Sequence, residues 1–537
     1  MHIRLFIPTA LLLATFPVTA VSQPAIRLAL LDRYETGIFA QGAAEIVAHD
    51  AMNQQLFVAN RAEAAVDVLD ISDPTHLSLA FTIDVTPFGR QANSVAVHDD
   101  RVAIAVEATN KQEPGSVVFF DTRGSFLTSV IVGALPDMIT FTPDGNFVLV
   151  ANEGEPSDDY SVDPEGSVSV IDLRHGMRNL GQHGVRTAGF SDYDNAVLDP
   201  STRVFGPGAS VAQDMEPEFI AVSDDSRRAW VSLQENNSIA EIDIYSARVT
   251  SLRGLGFKDH GLAGNGFDAS DEDSRINIAQ WPVLGMYQPD ALAHYRAGGV
   301  DYIVTASEGE SRTYQGFREE ARVADLVLSP VFGSPTELLT LQSKENLGRL
   351  RTTLANGDAD RDGVFENIYS FGTRSFSIWD TSGNLIYDSA DEFERIIGER
   401  LPDDFSSHDE WNGSFDDRSD DMGPEPEGVS VGRVGSGTYA FIVLEKVGGI
   451  MIFDITDPFT SHFVDYVNTR DFTGDLDAGT TGDVGPEGVV FVDGGKSPIH
   501  VPLLVASYEV SGTTAVYRID ENARASRQVP AGVGAGP

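Results

Sequence analysis

The chain has 537 residues and is 42% hydrophobic, enough to bury a large core and too apolar for a disordered polymer. Its 81 acidic residues against 37 Lys and Arg give a formal net charge of −44, which excludes nucleic acid and anionic membranes as natural partners. With no cysteine, disulfides and thiolate sites are excluded too.

The charge has two readings: a general acidic surface suited to salty surroundings, or an appetite for divalent cations. At the start of the chain, His2 and Arg4 precede an apolar run from Leu5 to Val18, followed by the small residues Ala20 and Ser22. This pattern predicts a Sec-type signal peptide over 1–22, cleaved near Ala20 or Ser22, and a secreted or periplasmic protein. No second apolar segment of membrane length follows. No anchor motif is recognisable after Asp520, and 521–537 reads as a short disordered tail.

The mature part, 23–520, repeats one pattern. A first short strand opens with an acid, a second ends in Glu, and a third closes on an Asp turn. Ile26 to Leu31 forms a lone strand ahead of the repeats. The first strands open near Glu45, Asn93, Asp137, Glu218, Asp290, Glu427 and Glu487. The second strands end near Asn60, Glu107, Glu153, Glu235, Glu308, Glu445 and Glu509. Seven such units predict an all-β, seven-bladed β-propeller, with the lone N-terminal strand expected to close the ring. Long insertions lie between blades 3 and 4, between blades 4 and 5, and within blade 5. A fourth, outer strand is poorly marked in every unit.

Because first and second strands are antiparallel neighbours, the two sets of acids fall at the same end of the ring. Glu153, Glu218, Glu235, Asp290, Glu308, Glu427 and Glu487 are therefore candidate metal ligands around the channel mouth. An all-oxygen set suits Ca²⁺ first, with Mg²⁺ or Mn²⁺ behind it. Turn chemistry is the competing explanation, since acids also cap tight turns. A second candidate is Asp358-Ala-Asp360-Arg-Asp362-Gly-Val-Phe-Glu366, which follows the first half of an EF-hand loop and then departs, with Tyr369 at the twelfth position. Glu308, Glu310, Arg312, Arg374 and Glu427 are candidate catalytic residues should the site hydrolyse phosphate esters, with Arg as the phosphate grip. Ion pairing within a structural network is the other reading of the two arginines. Gly428-Val-Ser430-Val-Gly432 spells a nucleophile-elbow motif but continues a strand, so serine chemistry is not expected.

The stretches 205–223 (FGPGASVAQDMEPEFIAVS), 233–244 (LQENNSIAEIDI), 285–293, 371–380, 416–431 and 444–458 resemble the choice-of-anchor I family, secreted YVTN-like propellers similar also to mesenchyme-specific cell-surface glycoproteins of animals. The resemblance covers roughly 27–520. It implies a propeller at or released from the cell surface, and it brings no established catalytic residues. The expected function is a calcium-stabilised binding or adhesion module outside the cytoplasm, its ligand an unidentified protein, glycan or phosphorylated small molecule. The alternative is a metal-dependent phosphoesterase.

Overall fold

The structure, a computed structural model, describes residues 25–476 and 478–521. The expected signal peptide and residues 522–537 of the expected tail lie outside them, whereas Glu521 ends a strand.

Seven four-stranded antiparallel sheets account for most of the fold. Blade 1 runs outward through Val47–Asp50, Gln55–Asn60, Ala65–Asp70 and Ser78–Asp84. Blades 2, 3 and 4 begin at Gln91–His98, Pro136–Phe141 and Pro217–Val222. Blade 5 begins at Leu292–Ala297 and blade 6 at Pro426–Val434. Blade 7 comprises Pro486–Val492, Leu503–Tyr508, Thr513–Glu521 and, as its outer strand, Ile26–Glu35.

Each blade is apolar on both faces of its two middle strands, so it must be covered twice. Seven hydrophobic clusters do this, each between consecutive blades. Phe57 and Val68 of blade 1 meet Val95 and Ile104 of blade 2. The series continues through blades 2–3, 3–4, 4–5, 5–6 and 6–7. The seventh cluster joins Leu56 and Val58 of blade 1 to Leu503, Val505 and Val516 of blade 7. The sheets therefore close into a wheel, the architecture of a β-propeller.

Closure is also sealed along the backbone. The N-terminal strand pairs antiparallel with the chain's last strand, from Ile26 opposite Glu521 to Glu35 opposite Thr513. The N-terminal strand thus does what its isolated position in the sequence predicts. The fourth strands absent from the sequence pattern are present in all seven blades; blade 3 takes its own from Val185–Gly189, inside a stretch that reads as a loop.

The insertions rise from one end of the wheel and share a small core of their own. Phe267 and Val283 from the blade 4–5 connection pack with Val323, Leu347 and Phe365 from the insertion within blade 5. A further excursion between blades 5 and 6 carries the helix Glu392–Arg400. No helix among the described residues is long and apolar enough to cross a membrane.

Candidate metal centre

Local backbone geometry brings the acids together. In five blades the register shifts at the head of the first strand: between Ala92 and Ser94, Pro136 and Ile139, Pro217 and Ile220, Pro426 and Val429, and Pro486 and Val489. Such bulges re-aim a side chain away from the ladder. The residue re-aimed is Asn93, Asp137, Glu218, Glu427 or Glu487. The residue before the strand-head proline is often in the left-handed region, as at Leu135 (φ 48°), Gln288 (φ 39°) and Glu425 (φ 48°). Its carbonyl then accepts from the tail of the second strand: Glu153 N–H donates to Leu135 O at 2.9 Å, Glu445 N–H to Glu425 O at 2.9 Å, and Glu509 N–H to Gly485 O at 2.8 Å. Each such bond sets a strand-head acid beside a strand-tail acid.

The glycine after the acid has a separate reason. A Cβ on Gly428 would lie 2.3 Å from the Glu487 carbonyl, and one on Gly488 would lie 2.7 Å from the Glu45 carbonyl. The Pro-Glu-Gly heads therefore let neighbouring inner strands approach closely.

Carboxylate oxygens of Asp290, Glu308 and Glu427 all lie within 4.8 Å of one another, as do those of Glu308, Glu425 and Glu445, of Glu45, Glu487 and Glu509, and of Asp409, Glu445 and Glu509. At that spacing two ionised carboxylates repel by roughly 3–4 kcal/mol at an effective dielectric of about 20. Burial first, then neighbouring carboxylates, push Glu153, Glu218, Glu308, Glu427 and Glu487 well above the usual carboxylate range. The same causes bring Asp290 to about 7, and burial brings Glu310 to about 8.

Neutralisation is uneven around the mouth. Arg61 pairs with Glu45 at 3.1 Å and Arg90 with Glu107 at 3.0 Å. Lys446 bonds Glu445 and reaches Asp409 at 3.2 Å, and Arg418 holds Glu425 at 2.5 Å. Glu218, Glu235 and Glu427 have no such partner among the described residues, and each keeps a buried carboxylate oxygen without any hydrogen bond. Their exposures are 7%, 5% and 6%. An unpaired acid so buried is costly unless a cation is at hand. The donor set is hard oxygen throughout and therefore fits Ca²⁺.

The two arginines face elsewhere. Arg312, 2% exposed, is gripped by Asp214 at 2.5 Å and Glu216 at 3.0 Å. Arg374 donates to Glu394 at 2.7 Å and to the carbonyls of Asp268, Ser419 and Asp421. Both tie insertions to one another, and neither is free to grip a substrate phosphate. In the 358–366 loop, Asp358, Asp360 and Glu366 come within 4.8 Å of one another on the surface. Asp362 stands outside that trio and instead accepts from Val364 N–H at 2.8 Å. Ser430 lies within a strand, its hydroxyl accepting from Phe491 N–H at 3.1 Å, so the elbow geometry is absent there.

Sequence reasoning overlooks Glu216, Glu425, Asp409 and Lys446. The first two carry a readable signal: Glu216-Pro217-Glu218 and Glu425-Pro426-Glu427 repeat an acid-Pro-acid unit at the heads of blades 4 and 6. Asp409 lies in an insertion with no repeat to flag it.

A profile of the Choice-of-anchor I domain matches residues 45–458. The chain belongs to the choice-of-anchor I domain family. Relatives of this choice-of-anchor I chain include Gigasin-3a of Magallana gigas, 28% identical over 192 residues, 34% of this chain and 67% of that protein. The mesenchyme-specific cell surface glycoprotein of Strongylocentrotus purpuratus is 27% identical over 302 residues, 49% of this chain; the chain spans 37% of that glycoprotein. Among solved structures it is similar to Kuenenia stuttgartiensis hydrazine synthase (TM-score 0.46, 14% identity, 90% of this chain and 99% of that one). It is also similar to a streptogramin B lyase (TM-score 0.45, 9% identity, 93% and 100%).

Proposed function

We propose that this choice-of-anchor I propeller works outside the cytoplasm as a binding module whose channel mouth is held together by divalent cations, Ca²⁺ first. The observation that carries the reading is the Asp290–Glu308–Glu427 trio, whose Glu427 keeps a buried oxygen without a hydrogen bond. A cation there offsets the mutual repulsion and supplies the partner that the protein does not. The surface trio Asp358, Asp360 and Glu366 is a second, weaker Ca²⁺ position, since solvent already screens it. The name of the sea-urchin relative, a cell surface glycoprotein, supports a surface or secreted setting and an adhesive or ligand-binding role. The two arginines that a phosphoesterase reading would use as phosphate grips, Arg312 and Arg374, are committed to buried ion pairs.

The test is a melting curve of purified protein with chelator and with excess Ca²⁺. Ca²⁺ at a hundredfold excess over its dissociation constant adds about 2.7 kcal/mol to a state that alone binds it. Glu427→Gln is expected to raise the melting temperature in chelator, by removing a repelling charge, and to shrink the Ca²⁺-dependent rise. An unchanged rise in that variant contradicts the placement of the site.

A further inference from the structure

The wheel encloses a cavity of about 660 Å³ along its axis, within the size range of small-molecule pockets. It follows the first strands from Glu45 at the acidic end to Met52 at the other, where Met52 is 69% exposed and the cavity meets solvent. Its wall is apolar in part. Met138, Phe219, Val489 and Phe491 line it and are half-buried, in contrast to the fully buried second and third strands. Its floor carries Glu45, Asp137, Asp290 and Glu487. Of the two bases that line it, Arg61 is taken by Glu45, and Lys496 lies towards the Met52 end, in the turn after the first strand of blade 7. Glu218, with its unpartnered oxygen, adds its field at Asp137 from behind the wall. Part-way along, the buried Nε2 of His49 also lacks a partner.

We propose that this cavity binds a small organic ammonium ion with an apolar body. Charge decides the class. An anion entering would meet four carboxylates at the floor, whereas an ammonium donates a hydrogen bond to Asp137 and is attracted by the other three. A bare inorganic cation has no use for the apolar part of the wall, which an aryl or alkyl body covers against Phe219 and Phe491. A ring face on Phe219 or Phe491 also attracts a cation held near it. His49 is placed to bond a polar group further along the ligand. The inference rests on reading the channel as a binding site, not on bound metal: of the floor acids, Asp137 belongs to none of the close carboxylate trios, whereas Asp290, Glu45 and Glu487 do.

The experiment is calorimetric titration of full-length, Ca²⁺-saturated protein with three molecules of one shape: 4-phenylbutylammonium, 4-phenylbutanol and 4-phenylbutyrate. The ammonium is expected to bind roughly tenfold or more tighter than the alcohol, the worth of a charge-assisted hydrogen bond, and the carboxylate not at all. Asp137→Asn should weaken the ammonium by a similar factor with metal content unchanged; Phe219→Ala should weaken ammonium and alcohol alike. Equal binding of alcohol and ammonium, tightest binding by the carboxylate, or displacement of the ammonium by Ca²⁺ overturns the proposal. If the protein holds no metal yet binds the ammonium, the proposal stands and the metal reading falls.

Discussion

Glu427 and Asp172 are both acids at a strand terminus, and the fold treats them oppositely. Asp172 ends a third strand and caps the following turn, accepting from Arg174 N–H at 3.0 Å; side-chain bonding to Arg174 holds it below the usual carboxylate range. Asp243 does the same with Ser246. Glu427 caps nothing and is pushed up. Turn capping thus accounts for acids at the third-strand ends and does not account for Glu427 at the channel mouth. Another buried acidic group lies among the insertions, where Glu394, Asp273 and the Arg374 guanidinium surround Asp268 and Asp416. Burial first, then neighbouring carboxylates, bring Asp268 to about 7 and Asp416 to about 8. Unfolded aspartates titrate near 4. The folded form therefore holds extra protons between about pH 4 and 8, so this stabilisation is complete at acid pH and is lost as pH rises through 7–8. Limited proteolysis of 389–425 should be slower at pH 5.5 than at pH 8.5, and Asp416→Asn should flatten the difference. A rate independent of pH in the unsubstituted protein contradicts this.

At the scale of the element, the informative unit is the first strand with its bulge, its proline and its glycine. Gly488→Ala would press a Cβ to 2.6 Å from Ser507 Oγ and 2.7 Å from Glu45 O. Overpacking of this kind costs about 1–3 kcal/mol, measurable as a lower denaturation midpoint; a neutral change contradicts the close-approach account. The first three strands of each blade are readable in the sequence because they are short apolar runs bounded by Pro, Glu and Asp. The outer strands are not. Arg248–Gly254 has no continuous apolar run, and Phe126–Ala134 breaks its run with Thr128, Ser129 and Gly133, burying only alternate residues such as Val130 and Val132. The insertion core is equally unreadable, since its strands Glu320–Arg322 and Arg351–Thr353 are three residues long and their partners lie far apart in sequence.

For the whole molecule, closure is what gives the acids a common axis. The repeat count and the lone leading strand let the sequence anticipate a wheel, and equivalent positions then had to face its centre. The sequence does not reveal which acids are neutralised internally. Arg61, Lys446 and Arg418 sit in turns and insertions outside the repeat, and they quiet part of the mouth while leaving Glu218, Glu235 and Glu427 unpaired. Deleting residues 26–35 would expose the Thr513–Glu521 edge and unlink the last blade from the start of the chain. The deleted form should lose its single cooperative melting transition and associate in solution; a monomer melting like the full chain would contradict closure by that strand.

The most direct test is elemental analysis of full-length protein purified without chelator, beside Glu427→Gln. The account predicts at least one tightly held divalent cation per chain, Ca²⁺ foremost, and a lower content in the variant. Metal-free protein that takes up no Ca²⁺ on dialysis would contradict it.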